Sequence, residues 1–267
     1  MSRSAQAKLF KIGTLNLQIC PNAEAAGEAA AQDAAAAMRQ LCQTADSVAV
    51  IFATGASQLE MLKSLTSIPD IPWRQVQGFH MDEYVGISSD HPASFRRYMR
   101  EHLCDRVDMQ SFREIDGNAA DLPLACRAYS LALRSSNPRL CLLGIGENGH
   151  LAFNDPSEAD FDDPQEMKVV TLDQVCRQQQ LAEGWFPAIE EVPERALTLT
   201  IPTLLRVPRL LVSVPGARKA HIMQRTLREP ISTHCPATIL RTHPDVTIYL
   251  DRDSASELGD VSVFESH

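Results

Sequence analysis

The chain has 267 residues, 44% hydrophobic and 22% charged, a composition that supports one large core and is unlike that of a disordered chain. Its formal net charge is -9 with lysine and arginine scattered, so neither nucleic acid nor an anionic membrane surface is expected as a partner, and any phosphate must be held locally. No stretch approaches the roughly 20 apolar residues that span a bilayer. Residues 1–11 lack the apolar run of a signal peptide, so the expected compartment is the cytoplasm. The cysteines, Cys20, Cys42, Cys104, Cys126, Cys141, Cys176 and Cys235, form no CxxC pair and have no histidine at zinc spacing. They read as small buried hydrophobes, and no metal is expected.

Residues 9–19 alternate loosely like a strand, and Asn22 can cap the alanine-rich run 23–43, which has strong helix propensity. The rhythm repeats at 48–53, a short apolar run ended by Thr54 and Gly55, with helical spacing following over 59–65. Further strands are predicted at 76–80, 139–145, 168–172, 196–201, 209–214 and 246–250, and helices at 93–103, 119–133 and 218–227. Apolar strands alternating with helices predict an α/β fold, doubly wound, with a mostly parallel sheet flanked by helices. Residues 155–166, rich in Asp, Glu and Pro, read as a loop or lid segment at the rim of that sheet. No repeat or low-complexity linker divides the chain, so residues 1–267 are expected to form a single domain.

In open parallel sheets, ligands collect beyond the carboxyl ends of the strands, and four places there are unusual. Thr54, Gly55, Ala56 and Ser57 leave a strand and enter a helix, where backbone N–H groups can point at an anion; a plain turn capped by Ser57 has the same composition. His80, Met81, Asp82, Glu83 and Tyr84 put two adjacent carboxylates after an apolar strand. One of them can be desolvated and poised as a base, although a solvated acidic turn looks alike. Gly144, Gly146 and Gly149 permit tight turns around His150, and Asp155 is close enough in sequence to orient its imidazole. Arg218 and Lys219 stand at a helix start, where a cation opposes the dipole unless an anion sits between them; ordinary surface cations are the plainer alternative.

The run Met-Asp-Glu-Tyr-Val-Gly at 81–86, and Gly-Ile-Gly at 144–146 with Gly-His-Leu-Ala-Phe-Asn-Asp-Pro at 149–156, resemble the two most specific motifs of the glucosamine-6-phosphate deaminase family. That family lies within the larger group that also holds the 6-phosphogluconolactonases. Weaker matches at 192–198, 216–219 and 232–244 extend the resemblance from about residue 48 to 251. The resemblance implies isomerisation and deamination of an amino-sugar phosphate, glucosamine 6-phosphate and water giving fructose 6-phosphate and ammonia. It implies Asp82 as the base that carries a proton between C2 and C1 through a cis-enolamine, and His150 as the group that opens the ring, oriented by Asp155 and Asn148. Thr54, Gly55, Ala56, Ser57 and Lys219 would bind the 6-phosphate, with Glu83 and Gly149 in the substrate site. No metal or cofactor is implied.

The chain departs from the family pattern in places. Ala56 and Gln58 stand where members often have glycine and proline, so Ala56 must adopt a conformation open to a residue with a Cβ. Asp155 replaces a common glutamate and Asn148 an aspartate found in some members, which implies an imidazolium less stabilised by charge. A lid arginine of the family has no clear counterpart, Arg177 being nearby but out of register. Alternatives are a 6-phosphogluconolactonase, whose arginine after the Asp-Glu pair is here Tyr84, a deaminase of another hexosamine phosphate, and a sugar-phosphate sensor. A sensor of that kind carries a basic helix-turn-helix, whereas residues 1–48 offer an acidic, alanine-rich helix. Self-association is left open.

Overall fold

The computed structural model describes residues 7–259. The first strand-like run is two strands: β1 (Lys8–Ile12) and β2 (Leu15–Cys20) form an antiparallel hairpin, closed by Gly13 and Thr14, with Gly13 at a φ of 60°. Two-residue hairpin loops favour such positive φ values, and glycine takes them without a Cβ clash. Asn22 then caps α1 (Ala23–Cys42), its side chain accepting from the Ala25 N–H at 2.8 Å. The buried face of α1 is alanine apart from Met38 and Gly27, and at Gly27 a Cβ would lie 2.8 Å from the backbone of Glu60. Small side chains thus let α1 pack directly against α2 (Leu59–Ser67).

The main sheet adds β3 (Val48–Phe52), β4 (Val76–His80), β6 (Ser111–Arg113), β7 (Leu140–Leu143), β10 (Leu210–Ser213) and β11 (Val246–Asp251). Its order is β1-β2-β11-β10-β7-β3-β4-β6, with every pairing parallel except β1 to β2. β3 is buried on both faces: Ala49 and Ile51 join one core, with Tyr129, Leu204 and Met223, while Val48, Val50 and Phe52 join the other, with Ala30, Met38 and Leu62. Two layers of helix therefore cover one sheet, as continuous apolar strands require. On the Tyr129 side lie α4 (Leu122–Ser136), α6 (Ile201–Leu205) and α7 (Ala220–Arg228); with α1 and α2 lies α3 (Phe95–His102).

The strands predicted at 168–172 and 196–201 leave the main sheet. As β8 (Met167–Thr171) and β9 (Arg195–Leu199) they pair antiparallel with each other, and β9 pairs with β5 (Asp82–Tyr84). Four elements are not among the sequence expectations: β5, the short edge strand β6, the short helix α6, and α5 (Gln174–Ala182), which Asp173 caps by accepting from the Cys176 N–H. Among the described residues no helix is long and apolar enough to cross a membrane.

Candidate active site

Successive crossovers run in opposite directions from β3 and β7, neighbours at the centre of the sheet. Strand order reverses between them, and the crevice beyond their carboxyl ends is where such sheets bind ligands. The loops after β3, β4, β7 and β10 all reach this crevice and together line a pocket.

From the β3 loop come Thr54, Gly55, Ala56 and Ser57. Gly55 takes a φ of 97° and Ala56 begins a turn of 3-10 helix, so the glycine absorbs the unusual conformation and Ala56 keeps one open to any residue. Gln58 is fully buried behind them. Its Nε2 donates to Leu143 O at 3.3 Å, and its Oε1, buried, has no partner. From the β10 loop, Lys219 reaches in with Nζ donating to Ile145 O at 2.8 Å. Burial lowers its pKa, partly offset by the carboxylates of Glu183 and Glu147. Arg218 turns away into a 2.7 Å ion pair with Glu147, so Lys219 is the cation among the lining residues.

Asp82 follows β4 and lies in the pocket, 6% exposed, with a buried Oδ1 that has no hydrogen-bond partner. Burial, then the adjacent Glu83 carboxylate, push its pKa well above the ordinary 3.8. A buried carboxylate without a partner is destabilising, and such groups concentrate where proton transfer is done. His80 beside it is structural: buried, its pKa lowered to about 3 by burial and Arg96, it accepts from the Ile115 N–H at 2.7 Å through Nε2.

His150 also lines the pocket, its Nδ1 2.9 Å from Asp155 Oδ1. Burial raises the Asp155 pKa, but contacts with His150, Asn148 and the Asp173 N–H outweigh it and hold the carboxyl below 3.8. Asn148 works differently from the expected orientation of the ring: its Oδ1 accepts from the His150 backbone N–H at 3.0 Å. Its Nδ2 donates to Asp155 Oδ1 and to Asp173 Oδ2, each at 2.9 Å. It therefore fixes the carboxylate and the backbone, and the carboxylate faces the imidazole. The loop itself is pinned by Asn154, which donates to Leu151 O and Leu199 O, and it holds Ala152 at a φ of 51°, a strained value for a residue with a Cβ.

Two expected substrate residues lie elsewhere. Glu83 is fully buried outside the pocket, its oxygens taken by the N–H groups of Tyr84, Phe95 and Arg96, Ser94 Oγ and Arg96 Nε. It anchors the first turn of α3 and neutralises Arg96, a task that needs a full carboxylate. Glu83→Gln is expected to cost about 3–5 kcal/mol of stability, the usual price of breaking one partner from a buried ion pair. Because Glu83 also raises Asp82, the acid limb of the pH–rate profile should move down; urea unfolding and rate profiles check both. Gly149, with a φ of 90°, packs where a Cβ would meet Cys235 Sγ at 3.0 Å, so it shapes the loop and does not line the pocket.

The cover of the pocket is also placed differently. Residues 155–166 form the predicted loop, but the side chains that close the site come from α5 and the residue after it: Gln179, Gln180 and Glu183. Gln179 holds Glu183 Oε1 at 2.8 Å and accepts from the Glu147 N–H, while Gln180 accepts from the Tyr84 hydroxyl at 2.7 Å. Arg177 points out of the site and donates to Ile189 O and Val192 O. The sequence signal for this cover was the Asp173 cap, three residues ahead of Cys176.

Residues 21–249 match the family model described as glucosamine-6-phosphate isomerases/6-phosphogluconolactonase. A glucosamine-6-phosphate deaminase of Geobacillus sp. (strain WCH70) is 36% identical over 214 residues, 78% of this chain and 83% of that protein. A solved monomeric glucosamine-6-phosphate deaminase superposes with a TM-score of 0.83 at 31% identity, covering 90% of this chain and 99% of the other. A 6-phosphogluconolactonase of Thermotoga maritima shares the fold, with a TM-score of 0.70 at 19% identity over 88% of this chain and 98% of its own.

Proposed function

The chain belongs to the glucosamine-6-phosphate isomerase/6-phosphogluconolactonase family, and we propose that it converts glucosamine 6-phosphate and water to fructose 6-phosphate and ammonia. The observation that carries this reading is the pairing, across one pocket, of the unpartnered Asp82 carboxylate with the His150–Asp155 couple. A phosphate monoester at Lys219 and the Thr54 to Ser57 turn would place the sugar between them.

His150 moves a proton at the ring oxygen and opens the pyranose, with Asp155 holding the imidazole in place. Asp82 removes the C2 proton; the electrons form the C1–C2 double bond of a cis-enolamine as the C1 oxygen gains a proton. Asp82 then returns its proton to C1, which leaves an iminium at C2. Water adds there and ammonia departs, the hydrolytic half of the reaction. A carboxyl that must act as base and then as acid benefits from a pKa raised toward neutrality, the direction in which burial and Glu83 move Asp82.

The assay is release of ammonia and fructose 6-phosphate from glucosamine 6-phosphate, run beside acid release from 6-phosphogluconolactone and ammonia release from other hexosamine phosphates. Turnover of the lactone alone would overturn the reading. The charge pattern of the pocket makes a further expectation. Lys219→Gln should raise KM about 10-fold or more, the loss of a charge-assisted hydrogen bond worth about 1.5–3 kcal/mol. Glu183→Gln removes a carboxylate from the same wall and should lower KM, so the two variants move saturation curves in opposite directions.

A further inference from the structure

His150, Asp155 and Cys176 each offer a donor atom within 4.8 Å of the other two, and all three are buried. Among the described residues no other group of three metal-ligating side chains is so placed. Imidazole, carboxylate and thiol are the donors that zinc takes, and they are brought from two elements: the loop after β7 and the first turn of α5. We propose that this trio is a binding site for a thiophilic divalent cation, zinc foremost, and that its occupation switches the enzyme off by withdrawing His150 from proton transfer.

The geometry suits a tetrahedral ion. Bonds of about 2.0–2.3 Å to N, O and S put the donors about 3.3–3.6 Å apart. The His150–Asp155 separation of 2.9 Å lies just below that spacing, and the 4.8 Å limit on the trio lies above it, so small side-chain movements close the set. Supporting contacts for a ligand carboxylate are already made, since Asn148 Nδ2 donates to Asp155 Oδ1 and the Asp173 N–H to Asp155 Oδ2. Three protein ligands leave one tetrahedral position for water. Binding exchanges the thiol proton of Cys176 for the metal and changes no oxidation state. His150 lines the substrate pocket while Cys176 is not among its lining residues, so the ion would sit at the Nδ1 edge of the imidazole, which faces Asp155.

The inhibitory half of this inference rests on the deaminase reading; the binding half does not. The experiment uses the full chain, reduced and stripped of metal, with zinc alone in equilibrium dialysis and cobalt as a spectroscopic substitute. One equivalent of zinc and a thiolate-to-cobalt charge-transfer band are expected, with affinity at least tenfold weaker and the band absent in both Cys176→Ala and Cys176→Ser. Zinc should suppress turnover at least tenfold, reversibly with a chelator. Both variants should keep metal-free turnover and lose most of their zinc sensitivity. Equal zinc binding by wild type and both variants, or no stoichiometric zinc, overturns the site; stoichiometric zinc with undiminished turnover overturns the switch. If glucosamine 6-phosphate is not a substrate, dialysis and the cobalt band still decide the site.

Discussion

Asp82→Asn is expected to lower turnover by about two to four orders of magnitude and at the same time to make the protein harder to unfold at neutral pH. The first effect follows from removing the carboxylate that enters the pocket just after β4, since an amide neither accepts the C2 proton nor returns it to C1. The second follows from the burial of that carboxyl. Its pKa is raised well above 3.8 in the folded protein, by desolvation first and by Glu83 second, while the unfolded chain ionises near the ordinary value. Below 3.8 both states hold the proton and Asp82 is least harmful. As pH rises, the unfolded state releases its proton and the folded state is left behind, so stability falls until the folded pKa is passed. Asparagine does not titrate, so the advantage of the variant should open above pH 3.8 and then level off. Urea midpoints across the pH range test this beside the turnover assay. A variant that stays active, or one less stable than wild type throughout, would remove Asp82 from its role. Such a trade of stability for function is the expected signature of an active-site base.

Gly146→Ala should cost about 100-fold in kcat through His150 alone. A Cβ on Gly146 would lie 2.1 Å from His150 Nε2, 2.2 Å from Cε1 and 2.4 Å from Cδ2, closer than any real contact, so the ring must leave its place. Gly146 is not among the residues with positive φ, so alanine meets no backbone penalty there. The damage is confined to the imidazole and its alignment with Asp155, and misplacement of about 1 Å is enough for a loss of this size. A double-mutant cycle isolates the cause. Once His150→Ala has removed the ring, Gly146→Ala should add almost nothing, whereas additive losses would mean that the glycine serves some other purpose. The close approach explains why a glycine is needed two residues after Gly144, which itself keeps room for the Gln58 amide at 3.0 Å.

The two sheets show how far local pattern reaches. The apolar runs that became β3, β7, β10 and β11 were legible because strands buried on both faces must be hydrophobic throughout. β8 and β9 were equally legible as strands, but their departure into a small antiparallel sheet with β5 depends on pairing with residues far along the chain. α5 is hard to read because its sequence is rich in glutamine, a residue that gives no apolar stripe; of these, Gln179 and Gln180 are buried at the pocket they cover. Glu83 illustrates the opposite error. Next to Asp82 in an acidic pair it reads as a second functional carboxylate, yet alternation along β5 turns it to the other face, where α3 and Arg96 consume it.

By itself, then, the sequence determined the alternation of strand and helix and the loops after the strands that carry Asp82, His150, Asp155 and Lys219, because periodicity, caps and short motifs are properties of neighbouring residues. Tertiary structure decided what those residues touch. It set Asn148 on the His150 backbone, turned Glu83 away, brought Gln58, Gln179 and Glu183 to the pocket and placed Cys176 beside His150 and Asp155. The physical reason is that burial and electrostatic environment are sums over chain segments brought together only when the core closes, and no local window of sequence contains them.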